Sequence, residues 1–144
     1  MQRAPGRRRG TTLPELLIAL ALVGIVAAVA LSSAARLADR FATRGAAREL
    51  RTALHSARHL AVLRATRAAV AVDTGRAVLA VRVAAETAFV RDLRALYGVR
   101  LAASRDSLAY AADGLGWGAA NARLVVRRGA WAETVTVSRL GRVR

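Results

Sequence analysis

Few residues in this 144-residue chain have the type and spacing to do chemistry. Glu15 is the one charge between Gly10 and Ala35, and the twenty residues that follow it, 16–35, carry none. A carboxylate at the head of such a run is costly in lipid, so it asks for a cation or a function. His55 and His59 stand four apart, a spacing that lets two imidazoles hold one metal from a helix face. The nearest acid, Glu49, is six residues away and no third ligand is evident, so two partly exposed histidines and no metal are expected. Gly114, Gly116 and Gly118 suggest a phosphate-cradling loop, but such a loop needs a following helix and a different spacing. The chain closes on Gly141-Arg142-Val143-Arg144, and arginine forks grip phosphates bidentately. There is no G-x-S-x-G elbow, the serines lack a convincing histidine partner, and the acids are scattered singly. Without cysteine there is neither a disulfide framework nor a thiolate metal site. No catalytic residue and no cofactor is expected, and the chain does not read as an enzyme.

The elements that carry these residues follow from the same letters. Twenty uncharged residues are about enough to cross a bilayer as a helix, which needs ~20. Pro14 suits the first turn, where its missing N–H would have no partner, and Glu15 then meets the favourable end of the helix dipole. A secretory signal peptide would have a shorter apolar core, of ~7–15 residues. No proline follows Pro14, so the helix is expected to run on to about Arg67, roughly 80 Å at ~1.5 Å per residue. A stripe of Leu37, Phe41, Ala47, Leu50, Leu54, Ala57 and Ala61 should lie on a globular head, with Arg36, Arg40, Arg44, Arg48 and Arg51 along a different, solvated face. Gly45 is the weak point, costing ~1 kcal/mol against alanine.

From Ala68 the pattern changes to strands. Ala69–Val72 and Arg76–Val83 flank Asp73-Thr74-Gly75 as a hairpin, and Arg123–Val126 and Ala132–Ser138 flank Arg127-Arg128-Gly129 as a second. Val99–Ala102 and Leu108–Ala111 read as short strands, and Val90, Leu93, Leu96 and Tyr97 as a short helix. The fold class is α+β: a long N-terminal helix, its first half transmembrane, packed on a small, mostly antiparallel β-sheet head.

The formal net charge is +15, and all 24 basic residues are arginine. From Arg123 to Arg144 six arginines face one acid, Glu133, for +5. A flexible basic end of that kind can follow a phosphate backbone without reading bases.

Gly10, Thr12, Leu13, Glu15, Leu16, Leu17 and Gly24 together resemble the N-terminus of type IV pilins and type II secretion pseudopilins. The resemblance implies a leader, 1–10, cleaved after Gly10 by a prepilin peptidase, and N-methylation of Thr11. The family usually has Phe or Met where Thr11 stands. It further implies assembly with other pilins into a filament, where Glu15 meets the free amine of a neighbour's first residue. The remaining segments are then a transmembrane half of the helix, 11–35, an amphipathic periplasmic half, 36–68, and a β-rich head, 69–144. The implied location is the bacterial inner membrane, single-pass in its lipid, with the head in the periplasm. Arg7, Arg8 and Arg9 keep the leader cytoplasmic.

The helix end, Leu50-Arg51-Thr52-Ala53-Leu54 through Arg64, and the close, Val135-Thr136-Val137-Ser138 with Gly141-Arg142-Val143-Arg144, are similar to the GspH/FimT group of minor pseudopilins. A GspH-like chain would be a structural subunit of a type II secretion pseudopilus. A FimT-like chain would be a minor type IV pilin contacting DNA during uptake through Arg142 and Arg144. A membrane-anchored periplasmic enzyme is a third reading, with no residues to carry its chemistry.

Overall fold

A computed structural model describes residues 12–118 and 120–144. The elements are α1 (Leu13–Leu63), β1 (Ala68–Asp73), β2 (Val78–Val83), β3 (Glu86–Asp92), α2 (Leu93–Tyr97), β4 (Arg100–Ala103), β5 (Ser107–Tyr110), β6 (Ala122–Arg128) and β7 (Trp131–Val137). The chain divides into two units, up to Ala35 and from Arg36 onward.

In the first unit α1 carries its apolar side chains on the outside. Leu16, Leu17, Ile18, Leu20, Val23, Ile25 and Val29 are all exposed. Among the described residues this is the one helix long and apolar enough to cross a membrane. The second unit is α+β. Its strands form two antiparallel sheets, ordered β3-β2-β1-β5 and β4-β6-β7, rather than the single sheet expected. One core joins them: Leu50, Leu54 and Ala57 of α1 meet Val70, Leu79 and Val81 from the first sheet and Leu124, Val126 and Val135 from the second.

Three local expectations shift, each for a visible reason. Helix α1 stops at Leu63 rather than Arg67, because Ala65 turns left-handed at φ 47°. Thr66 N–H then reaches Ala61 O at 3.1 Å and Ala65 N–H reaches Val62 O, the pairing that closes a helix without glycine. Val90 lies in strand β3, not in a helix, because Asp92 caps α2 by accepting from Ala95 N–H at 2.8 Å.

The buried stripe is the third. Thr43, Ala46, Ala47, Leu50, Ala53, Leu54, Ala57 and Ala61 are buried, whereas Leu37 and Phe41 are 50% and 66% exposed. Six residues from Phe41 to Ala47 advance about 240° beyond a full turn, which carries Phe41 off the buried face. Gly45 has a packing reason: a Cβ there would come within 2.7 Å of the Tyr97 ring.

Tyr110 is fully buried, and its hydroxyl has no hydrogen-bond partner among the described residues. Burial pushes its phenol up to about 12. The folded state therefore holds this proton more tightly than the unfolded chain, whose phenol titrates near 10. Stability from this source is complete below pH ~10 and falls as pH rises from ~10 towards ~12. Tyr110→Phe should flatten that alkaline loss in melting temperature measured against pH, and be neutral or better at pH 7, since it removes an unpaired buried group. An unchanged alkaline slope would contradict the assignment.

Candidate assembly and polyanion surfaces

Three places in the chain present side chains with something to bind. The first is the start of α1. Gly10 and Thr11 lie outside the described residues. Glu15 is in the first turn, where Thr12 N–H approaches its Oε2 at 3.4 Å, and it is exposed. Behind it the exposed apolar surface extends through Leu31. An exposed apolar surface of this extent marks a membrane or a protein partner.

The second place is the half of α1 that belongs to the second unit, residues 36–63. Its charges tie the helix to the strands. Asp39 Oδ1 accepts from Arg128 Nε at 2.8 Å, while Arg128 Nη1 donates to Tyr97 O at 2.6 Å. Glu49 Oε1 accepts from Arg91 Nε at 2.7 Å, and Arg44 lies 3.8 Å from Glu133. These pairs are half-exposed, so they set the placement of helix on sheet more than its stability. The arginine row is thus partly engaged: Arg44 reaches Glu133, and Arg40 stacks over Trp131 at 5.1 Å. His55 and His59 are both exposed, and among the described residues no group of three metal-ligating side chains occurs.

The glycine run forms no phosphate cradle. Gly116 instead bridges to Tyr110, and Trp117 N–H donates to Ala109 O, so the segment lines the edge of β5. Among the described residues no helix follows it.

The third place is the C-terminus. Residues 142–144 do not hang free as a flexible end. Ser138 N–H donates to Arg142 O, and Thr136 and Arg144 exchange both main-chain hydrogen bonds at 3.0 and 2.9 Å. The tail therefore lies antiparallel beside β7, with Val143 opposite Val137. Gly141 makes the bend at φ 75°, and a Cβ there would meet the Tyr110 ring at 2.8 Å and Gly116 N at 3.0 Å. Strand alternation then puts Arg142 and Arg144 on the face of Thr136, away from buried Val135 and Val137.

The same register brings in residues that sequence reasoning did not single out. Arg123 is opposite Thr136, and Arg127 is opposite Arg100 of β4. Arg100, Arg123, Arg127, Arg142 and Arg144 are all exposed on one face of this sheet. The visible signal was the alternation Arg123-Leu124-Val125-Val126-Arg127, which sends both arginines to the same side.

Comparison with known proteins adds an N-terminal motif and a fold. Residues 5–31 match the family described as the prokaryotic N-terminal methylation motif. No curated protein matches the chain by sequence. Among solved structures it is similar to the type IV minor pilin FimU of Pseudomonas aeruginosa, at 19% identity and TM-score 0.63, over 75% of this chain and 90% of that one. It is also similar to EpsH, the minor pseudopilin of the Vibrio cholerae type 2 secretion system, at 15% identity and TM-score 0.56, over 71% and 90% or more of the respective chains, the latter being 94%. The motif match lies at the N-terminus, residues 5–31, and the likeness to both structures is one of fold.

Proposed function

We propose that the chain is a minor pseudopilin, a non-enzymatic structural subunit of a type II secretion pseudopilus. One observation supports the reading: the methylation motif leads into an exposed apolar stretch of α1, up to Ala35, whose sole carboxylate is Glu15, and the same helix continues into a pilin-type fold. A prepilin peptidase removes residues 1–10 after Gly10, and Thr11 becomes the methylated first residue. Leu16 to Ala35 holds the subunit in the inner membrane, with the head in the periplasm, and then in the filament core. Coexpression of the full chain with a prepilin peptidase tests the processing. A product beginning at Thr11 is expected, and an uncut chain in the presence of active peptidase would overturn the reading.

A second reading, a FimT-like minor type IV pilin that contacts DNA, is favoured by one specific observation. Arg142 and Arg144 share an exposed face, and no carboxylate among the described residues pairs with either. Full chain in neutral detergent, carrying Arg142→Ala with Arg144→Ala, should bind duplex DNA more weakly and with a shallower salt dependence. Unchanged affinity and slope would remove the tail from any DNA contact. Deleting the gene separates the secretion reading from the pilus reading: loss of exported protein supports the first, loss of pilus-dependent DNA uptake the second.

A further inference from the structure

We propose that the whole outward face of the β4–β6–β7 sheet, and not its C-terminal tail alone, is a docking surface for the phosphate backbone of duplex DNA. This rests on the second reading above and adds Arg100, Arg123 and Arg127 to Arg142 and Arg144. Arg123 and Arg127 share one face of β6, and strand register brings Arg100 from β4 opposite Arg127.

The charge arrangement is costly for the fold by itself. Arg100 and Arg127 are directly opposed across β4 and β6, and like charges in that position destabilise a sheet. Carboxylates that could relieve them are engaged elsewhere: Asp39 with Arg128, Glu49 with Arg91, Asp73 with Arg76, Glu86 with Arg64 and Glu133 with Arg44. Among the described residues none of the five face arginines has a carboxylate partner, and no acid lies on this face of β4, β6, β7 or the tail. A concentration of unpaired guanidinium groups on one surface is the electrostatic footprint of a polyanion partner.

The shape narrows the class. Strands ~4.8 Å apart place β4 and the tail roughly 14 Å apart across three steps, and Arg123 to Arg127 spans about 13 Å along β6. By the ~3.4 Å axial rise per strand, that length faces about four phosphates of one DNA strand. Between the arginines stand Ala102, Val125, Thr134 and Thr136, which leave the face low and flat. It has no aromatic side chain for unpaired bases to stack on, as a single-strand platform would. It also lacks the large apolar side chains that a membrane-surface element inserts between headgroups. Backbone contact of this kind is independent of sequence and strongly salt-dependent.

The test uses full chain in neutral detergent with a fluorescent duplex of mixed sequence, titrated at several salt concentrations. Arg100→Ala, Arg123→Ala and Arg127→Ala together should weaken binding by about 10²-fold at ~0.1 M salt and lower the salt slope by about three. Arg127→Glu controls for folding, because it places opposite charges at positions 100 and 127. It should keep or raise the melting temperature while binding still falls. If the triple variant binds like the wild type while the tail double variant does not, the face is overturned and the tail reading survives. If neither variant alters binding, both fail. Failure of the wild type to bind the duplex would also overturn the proposal, and a preference for anionic phosphatidylglycerol over neutral phosphatidylcholine vesicles that the triple variant loses would then assign the face to a membrane surface.

Discussion

Glu15→Ala should be cut after Gly10 like the wild type and accumulate in the membrane, yet fall by more than tenfold in sheared filaments. Glu15 stands at the entrance to twenty uncharged residues, and among the described residues its carboxylate accepts one hydrogen bond, from Thr12 N–H at 3.4 Å. The helix dipole returns ~0.3–1 kcal/mol at such a position, less than an unpaired carboxylate costs in lipid. A neighbouring subunit's free amine at Thr11 supplies the missing charge in the proposed filament. Truncating one partner of a desolvated pair costs ~3–5 kcal/mol, because the other charge stays buried without compensation. That is a hundredfold or more in the incorporation equilibrium. Glu15→Gln keeps the shape and loses the charge, so it should share the defect. Quantitative immunoblotting of membrane and sheared fractions reads both variants, and wild-type incorporation of either would remove the pairing role.

The largest effect on folding belongs to the buried face of α1. Leu54→Ala should destabilise the second unit by ~2–5 kcal/mol, since Leu54 is fully buried among strands of both sheets. Against a typical ~5–15 kcal/mol that is a large fraction. Phe41→Ala should cost less than ~0.5 kcal/mol, because its ring is 66% exposed. The pair separates the observed helix face from the one that the spacing of apolar letters suggested. Urea unfolding in neutral detergent measures both, and equal losses would mean that Phe41 packs on the core after all.

The legible and illegible parts of this chain divide along local and long-range physics. The apolar helix was readable because nothing interrupts Leu16 to Ala35, and the β6–β7 hairpin because apolar alternation flanks Gly129. Phe41 was misplaced because a six-residue gap looks like a missed rung while carrying the side chain off the buried face. The split into two sheets was not readable. It depends on β1 pairing with both β2 and β5, while β4 leaves for β6, and these are choices between distant strands. The arginine face was hidden in the same way. In a chain with 24 arginines, Arg100 and Arg127 become notable only once register sets them opposite each other. The tail Arg142-Val143-Arg144 was identified as basic, but its hydrogen bonds to Thr136 and Ser138 make it a fourth strand-like row beside β7 instead of a loose end.

The central claim is that the apolar helix stays on the protein, with Glu15 near its head, and builds the filament. N-terminal sequencing of the protein recovered from its own host, in both membrane and sheared-filament fractions, tests this most directly. The account predicts a chain starting at Thr11 with the helix retained in both fractions. A chain starting near Ala35, its head released into the soluble periplasmic fraction, would contradict it.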